Sequence, residues 1–88
     1  MENEYENYEK LSELTPGEEG EITEVYGGRG LWKKLKGRGI IPGRHVKKTS
    51  EHGSRGPVLL EVGRGGSPFA IGRGIAQKIE VGYNDGTD

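Results

Sequence analysis

Cysteine is absent from the 88-residue chain, which excludes disulfide frameworks, zinc ribbons, CxxC redox pairs and cysteine nucleophiles. Histidine occurs twice, as His45 and His52, and these form no HExxH pair. No apolar run approaches the ~18 residues of a membrane span. The start, Met1-Glu2-Asn3-Glu4, is acidic and has no apolar stretch behind it, unlike a secretory signal, so the cytoplasm is the expected compartment. Hydrophobic residues are scarce at 30%, and Val, Ile, Leu and Phe together number only 18. So small a core fills one domain of short elements and leaves little room for a buried catalytic cleft. No Gly precedes a Lys, so a Walker A loop is absent; GxGxxG and GxSxG are absent too. These absences argue against an enzyme.

What the chain has in excess is glycine, 17 residues, and charge, 31% of the chain. The net charge of −1 conceals a division. Up to residue 24 there are nine Glu and one Lys; beyond it there are twelve Lys or Arg and five Asp or Glu. The acidic arm is either solvated or folded back over the basic part. The basic part suits nucleic acid, an acidic protein surface or anionic lipid headgroups.

Hydrophobic patterning predicts five short strands. Gly20–Tyr26 is rich in β-branched and aromatic residues, Arg44–Thr49 is a second strand, and in Val58–Val62 residues 58, 60 and 62 alternate on one side. Pro68–Ile71, with Phe69 and Ile71 inward, and Ile79–Val81 complete the set. Leu11–Leu14 predicts one helical turn closed by Pro16-Gly17, and Gly72–Lys78 another. Leu31–Arg38 is the helix candidate of the basic part: Leu31 and Leu35 share a face, and Gly37 and Gly39 stop it. In Ile40-Ile41-Pro42-Gly43 the Pro fixes one turn position and Gly supplies the left-handed one. Short strands with glycine corners suit a mainly β fold, a small SH3-like five-stranded barrel with one or two short helices. Residues 1–10 are expected to be an acidic flexible extension, 11–81 the domain, and 82–88 a flexible tail. The tripeptide Gly-Arg-Gly recurs at 28–30, 37–39, 63–65 and 72–74, always between apolar elements rather than in a disordered RGG run.

Two clusters are candidate sites. His45, Glu51 and His52 offer two imidazoles and a carboxylate, donors that suit Fe²⁺, Zn²⁺ or Ni²⁺ bound weakly. The simpler reading makes His45 a half-buried strand residue and His52 a solvated loop residue. Trp32, the lone tryptophan, is either a core plug or an exposed anchor among Arg29, Lys33, Lys34, Lys36 and Arg38.

The chain resembles the ferrous iron transport protein A family, FeoA, over about residues 11–81. The matching stretches are Leu11-Ser12-Glu13-Leu14 with Pro16-Gly17, Gly20-Glu21-Ile22, Leu35–Gly43 (LKGRGIIPG), Gly56-Pro57-Val58 and Phe69–Val81 (FAIGRGIAQKIEV). The resemblance implies an SH3-like barrel, cytosolic and not an enzyme, that works with FeoB, a GTPase permease for Fe²⁺. A related barrel ends the iron-dependent repressors, and no helix-turn-helix precedes it here. The chain departs from the family in having Ile71-Gly72 ahead of the last helical turn, with Arg73 one place later, and in its longer acidic arm. The expectation is a docking module in which Arg29, Leu31, Trp32, Lys33, Lys34, Lys36 and Arg38 meet the permease's cytosolic part. Strand addition at a barrel edge is a second docking mode. The rival expectations are a metal sensor using His45, Glu51 and His52, and a nucleic-acid-binding barrel. Only Tyr26 and Phe69 would serve the latter for stacking on its strands.

Overall fold

A computed structural model describes residues 5–85. Strand β1 (Asn7–Lys10) runs into a 3-10 turn (Leu11–Glu13), followed by β2 (Glu19–Val25) and helix α1 (Arg29–Lys36). Then come β3 (His45–Glu51), β4 (Val58–Val62), β5 (Phe69–Ile71), the single-turn helix α2 (Arg73–Ala76) and β6 (Ile79–Tyr83). All strand pairs are antiparallel, in one sheet of order β1-β6-β2-β3-β4-β5. Register shifts between Ile22 and Glu24 and between Lys48 and Ser50 mark bulges, which sharpen the bend of a strand.

The five expected strands and both short helical turns are present, with ends displaced by a few residues at most. Alternation was the reliable signal. Val58 and Leu60 are buried from β4, Val46 from β3 and Ile79 and Val81 from β6. Leu11, Leu14, Leu35, Ile40, Ile71 and Ala76 close the core from the turns, helices and β5.

Helix α1 ends as its glycines dictate. Gly39 takes a φ of 83°, and Ile40 N–H reaches back to the Leu35 carbonyl at 2.9 Å, sealing the helix end with a buried side chain. Gly43 takes a φ of 96°, and Arg44 N–H bonds the Ile41 carbonyl at 3.2 Å, which closes the Pro-Gly turn.

The termini differ from expectation. Residues 7–10 form a sixth strand rather than an extension, paired with β6 from Asn7 opposite Tyr83 to Lys10 opposite Glu80. Residues 82 and 83 belong to β6 rather than to a tail. The cause is polar. The main-chain ladder is reinforced by Glu6 N–H to Asn84 Oδ1 (2.9 Å), Asn7 Nδ2 to Asp85 Oδ1 (2.8 Å) and the Tyr83 hydroxyl to Glu9 (2.8 Å). A strand held this way shows no apolar alternation. The outer parts of the expected extension and tail, residues 1–4 and 86–88, lie outside the described residues.

This polar seam also sets an alkaline limit. The Tyr5 hydroxyl donates to Glu21, which pushes its pKa up to about 12; Tyr83, donating to Glu9, is likewise pushed up to about 12. Both phenols hold their protons more tightly folded than unfolded. Their contribution is whole below pH 10 and is lost as pH rises through about 12. Spectrophotometric titration should show two tyrosines ionising about two pH units late, and Glu21→Gln should return one of them toward 10. A single transition near 10 for all four tyrosines would contradict the seam.

Candidate functional site

The residues expected to contact a partner are divided by α1 into three groups. A helix turns about 100° per residue, so Leu31 and Leu35 lie on one stripe and face the core, Leu35 buried and Leu31 half-buried. Arg29, Trp32, Lys33 and Lys36 fall within one arc of about 100° on the outward side. Trp32 is 38% exposed, so it lies at the surface and is not a core plug. Lys36 Nζ stands 5.7 Å from its ring centroid, a cation–π contact.

Lys34 lies on the other flank and, with Arg38, rims a groove of about 200 Å³ between α1, β5 and the start of α2. Leu35, Ile71 and Ile75 line its floor. The Arg38 guanidinium also lies 4.9 Å from the Phe69 ring centroid, which steadies it at the rim.

The expected metal cluster is not brought together. His45 and Glu51 stand at opposite ends of β3, roughly 20 Å apart along a strand. His45 Nε2 lies 2.7 Å from Glu19 Oε1. His52 is exposed in the loop after β3, its N–H bonded to the Pro57 carbonyl. Among the described residues no three His, Cys, Asp or Glu side chains are placed to share an ion.

Glu51 is taken up instead by a polar cluster that sequence reasoning missed. The bulge at Lys48–Ser50 turns Glu51 onto the inward face, opposite buried Val58. There Lys48 Nζ meets Glu51 Oε1 at 2.6 Å and the carbonyls of Ser12 and Leu14 at 3.0 and 2.6 Å. Arg73 bonds the same Glu51 oxygen at 3.0 Å and the carbonyls of Ser12, Gly53 and Gly56. The Lys48 bond first, and Arg73 second, hold the Glu51 carboxyl below the usual carboxylate range. The cluster fastens the 3-10 turn and the β3–β4 loop to the core; it presents no group to a ligand. One signal was available: Lys48 is two residues from Val46, so strand parity points it inward.

A second, wider cleft of about 420 Å³ lies over β2, β3 and β6, lined by Tyr5, Glu19, Glu21, His45 and Tyr83. Tyr5–Glu21, His45–Glu19 and Tyr83–Glu9 are bonded pairs at this cleft, while Arg64 also lines it and His45 Nδ1 is buried there without a hydrogen-bond partner. The groove beside α1 differs in having an apolar floor.

Fold and surface together define a small SH3-like domain, mainly β, that offers a shallow basic groove and a basic helix. The FeoA domain family model matches residues 9–82, and the chain belongs to that family, which is associated with ferrous iron transport. A crystal structure of an iron uptake regulatory protein, FeoA, is 34% identical and superposes with a TM-score of 0.78, covering 86% of this chain and 97% of that one. FeoA of Stenotrophomonas maltophilia, solved with zinc, shares 22% identity over 78% of this chain and 84% of that one, with a TM-score of 0.64. A manganese-dependent transcriptional repressor shows the same fold at 14% identity and a TM-score of 0.77, covering 86% of this chain and 41% of the repressor. No curated protein matches the chain significantly. Among the described residues no helix is long and apolar enough to cross a membrane.

Proposed function

We propose that the protein is a non-enzymatic accessory of ferrous iron uptake that docks, from the cytoplasm, onto the cytosolic part of a FeoB-type permease. The observation that carries this reading is the groove beside α1, where Lys34 and Arg38 flank an apolar floor. The occupant would be a permease segment with an apolar side chain between acidic ones. Buried apolar contact supplies affinity, while the rim cations steer approach and fix orientation. Membership of a family associated with ferrous iron transport supports the choice of partner. The reading needs no resident metal: His45 and Glu19 are the donors the fold brings together, short of the three or four protein ligands of a tight site. A nucleic-acid-binding barrel is less well supported, because Tyr26 is the one exposed ring of the two strand aromatics, Phe69 being half-buried under Arg38, and one ring is not a series of stacking platforms.

The test is binding of the purified protein to the soluble cytosolic part of the permease. Lys34→Glu with Arg38→Glu should weaken it at least tenfold, with the fold intact by circular dichroism. Unchanged affinity would overturn the groove as the docking site.

A further inference from the structure

The outward face of α1 has a chemistry different from that of the groove. Arg29, Lys33 and Lys36 lie to one side of Trp32 around the helix, and all four are exposed. The ion pairs among the described residues engage His45, Lys48 and Arg73; none involves this face. The face is therefore a cationic arc with Trp32 at one edge.

We infer that this face seats on an anionic lipid surface, with the Trp32 ring entering the headgroup layer and Arg29, Lys33 and Lys36 meeting lipid phosphates. Three observations favour lipid. Lysine supplies two of the three cations; it is depleted at protein interfaces, and Arg is the better reader of a fixed carboxylate. Lysine stems can lie along apolar surface while their charge reaches a headgroup. Tryptophan is the side chain that prefers the membrane–water boundary, with an apolar ring and one N–H donor. Against nucleic acid, the face carries one aromatic ring rather than a series of stacking platforms. The site lies on the opposite flank of α1 from the groove, so lipid and permease can be bound together. It is independent of the docking proposal, since lipid vesicles contain no permease.

Because Trp32 is the sole tryptophan, intrinsic fluorescence reports on this face alone. The full chain is mixed at low ionic strength with vesicles of phosphatidylcholine, with or without phosphatidylglycerol. Each cation near an anionic surface is worth about fivefold in partition, so three should favour the anionic vesicles about a hundredfold. Binding should blue-shift the Trp32 emission and fall as salt is added. Lys33→Gln with Lys36→Gln should weaken partition about thirtyfold while leaving the fold intact by circular dichroism. The inference is overturned by equal partition into neutral vesicles, by an emission unchanged on binding, or by a double variant that binds as the parent does. Tighter binding of polyuridine than of anionic vesicles at the same ionic strength would reassign the face to nucleic acid and likewise overturn it.

Discussion

Lys48→Ala should destabilise the domain by about 3–5 kcal/mol, a large fraction of the stability of a small domain. Lys48 is 1% exposed, and its ammonium is surrounded by the carbonyls of Ser12 and Leu14 and by Glu51. Truncation removes three buried methylenes, worth about 0.8 kcal/mol each, and leaves a void. It also strands acceptors, and here the two carbonyls differ. Ser12 retains Arg73 Nη1 at 3.2 Å, whereas the Leu14 carbonyl loses the lysine bond at 2.6 Å that fastens it. Lys48→Met separates the two losses. It keeps the packing but not the donor, so it should cost about 1–3 kcal/mol. Equilibrium denaturation of both variants measures the difference. If Lys48→Met were as stable as the parent, the cluster would be incidental, as some buried ion pairs are when apolar residues replace them.

The same cluster dictates how stability responds to acid. The Glu51 carboxyl is held below its ordinary value of 4.5, so the folded state binds its proton less readily than the unfolded chain does. Its contribution is in place above about pH 4.5 and is lost as pH falls through the lower, folded value. Glu51→Gln removes the titrating group and should flatten that segment of the stability curve, a difference visible in melts taken across the acid range.

How legible these features were depends on which force placed them. Strands β2 to β6 were readable because their inward residues are apolar and alternate: Val58 and Leu60, or Ile79 and Val81. Strand β1 was not, because Asn7, Tyr8, Glu9 and Lys10 are held by main-chain pairing and polar contacts with residues 70 or more positions away. Helix α1 was readable from Leu31 and Leu35, but the placement of Trp32 was not, because one position from Leu31 it could as well have widened the apolar face. The metal cluster failed for a geometric reason. Closeness in sequence of His45, Glu51 and His52 is not closeness in space along an extended strand, and a bulge turns Glu51 toward Lys48. Nothing local announces a bulge at that position. Nor does composition announce the groove, because its floor combines Leu35 with Ile71 and Ile75 from the far end of the chain.

Substituting alanine for glycine should have opposite effects at two positions. At Gly20, in β2, a methyl group would stand 2.4 Å from the Gly82 carbonyl oxygen and 2.8 Å from Val81 Cγ1. The nearest atom is backbone of the adjoining strand β6, so no side-chain rotation relieves the clash; the strands must part. Gly82 is subject to the same crowding, since a methyl there would meet the Tyr5 ring at 2.6 Å. The absence of Cβ atoms at 20 and 82 is therefore what lets β2 and β6 pair closely and lets Tyr5 lie over the seam. Gly20→Ala should cost about 2–3 kcal/mol, a fall in Tm of roughly 10–20 °C for a domain this size. Faster amide exchange should be concentrated in β2 and β6. At Gly30, inside α1, a methyl group meets nothing within 4 Å, and helix propensity favours alanine. Gly30→Ala should therefore stabilise by up to about 1 kcal/mol. If the two variants melted alike, glycine would be serving the chain only as a flexible corner. A difference in sign would show that at residue 20 glycine is required for the room it leaves.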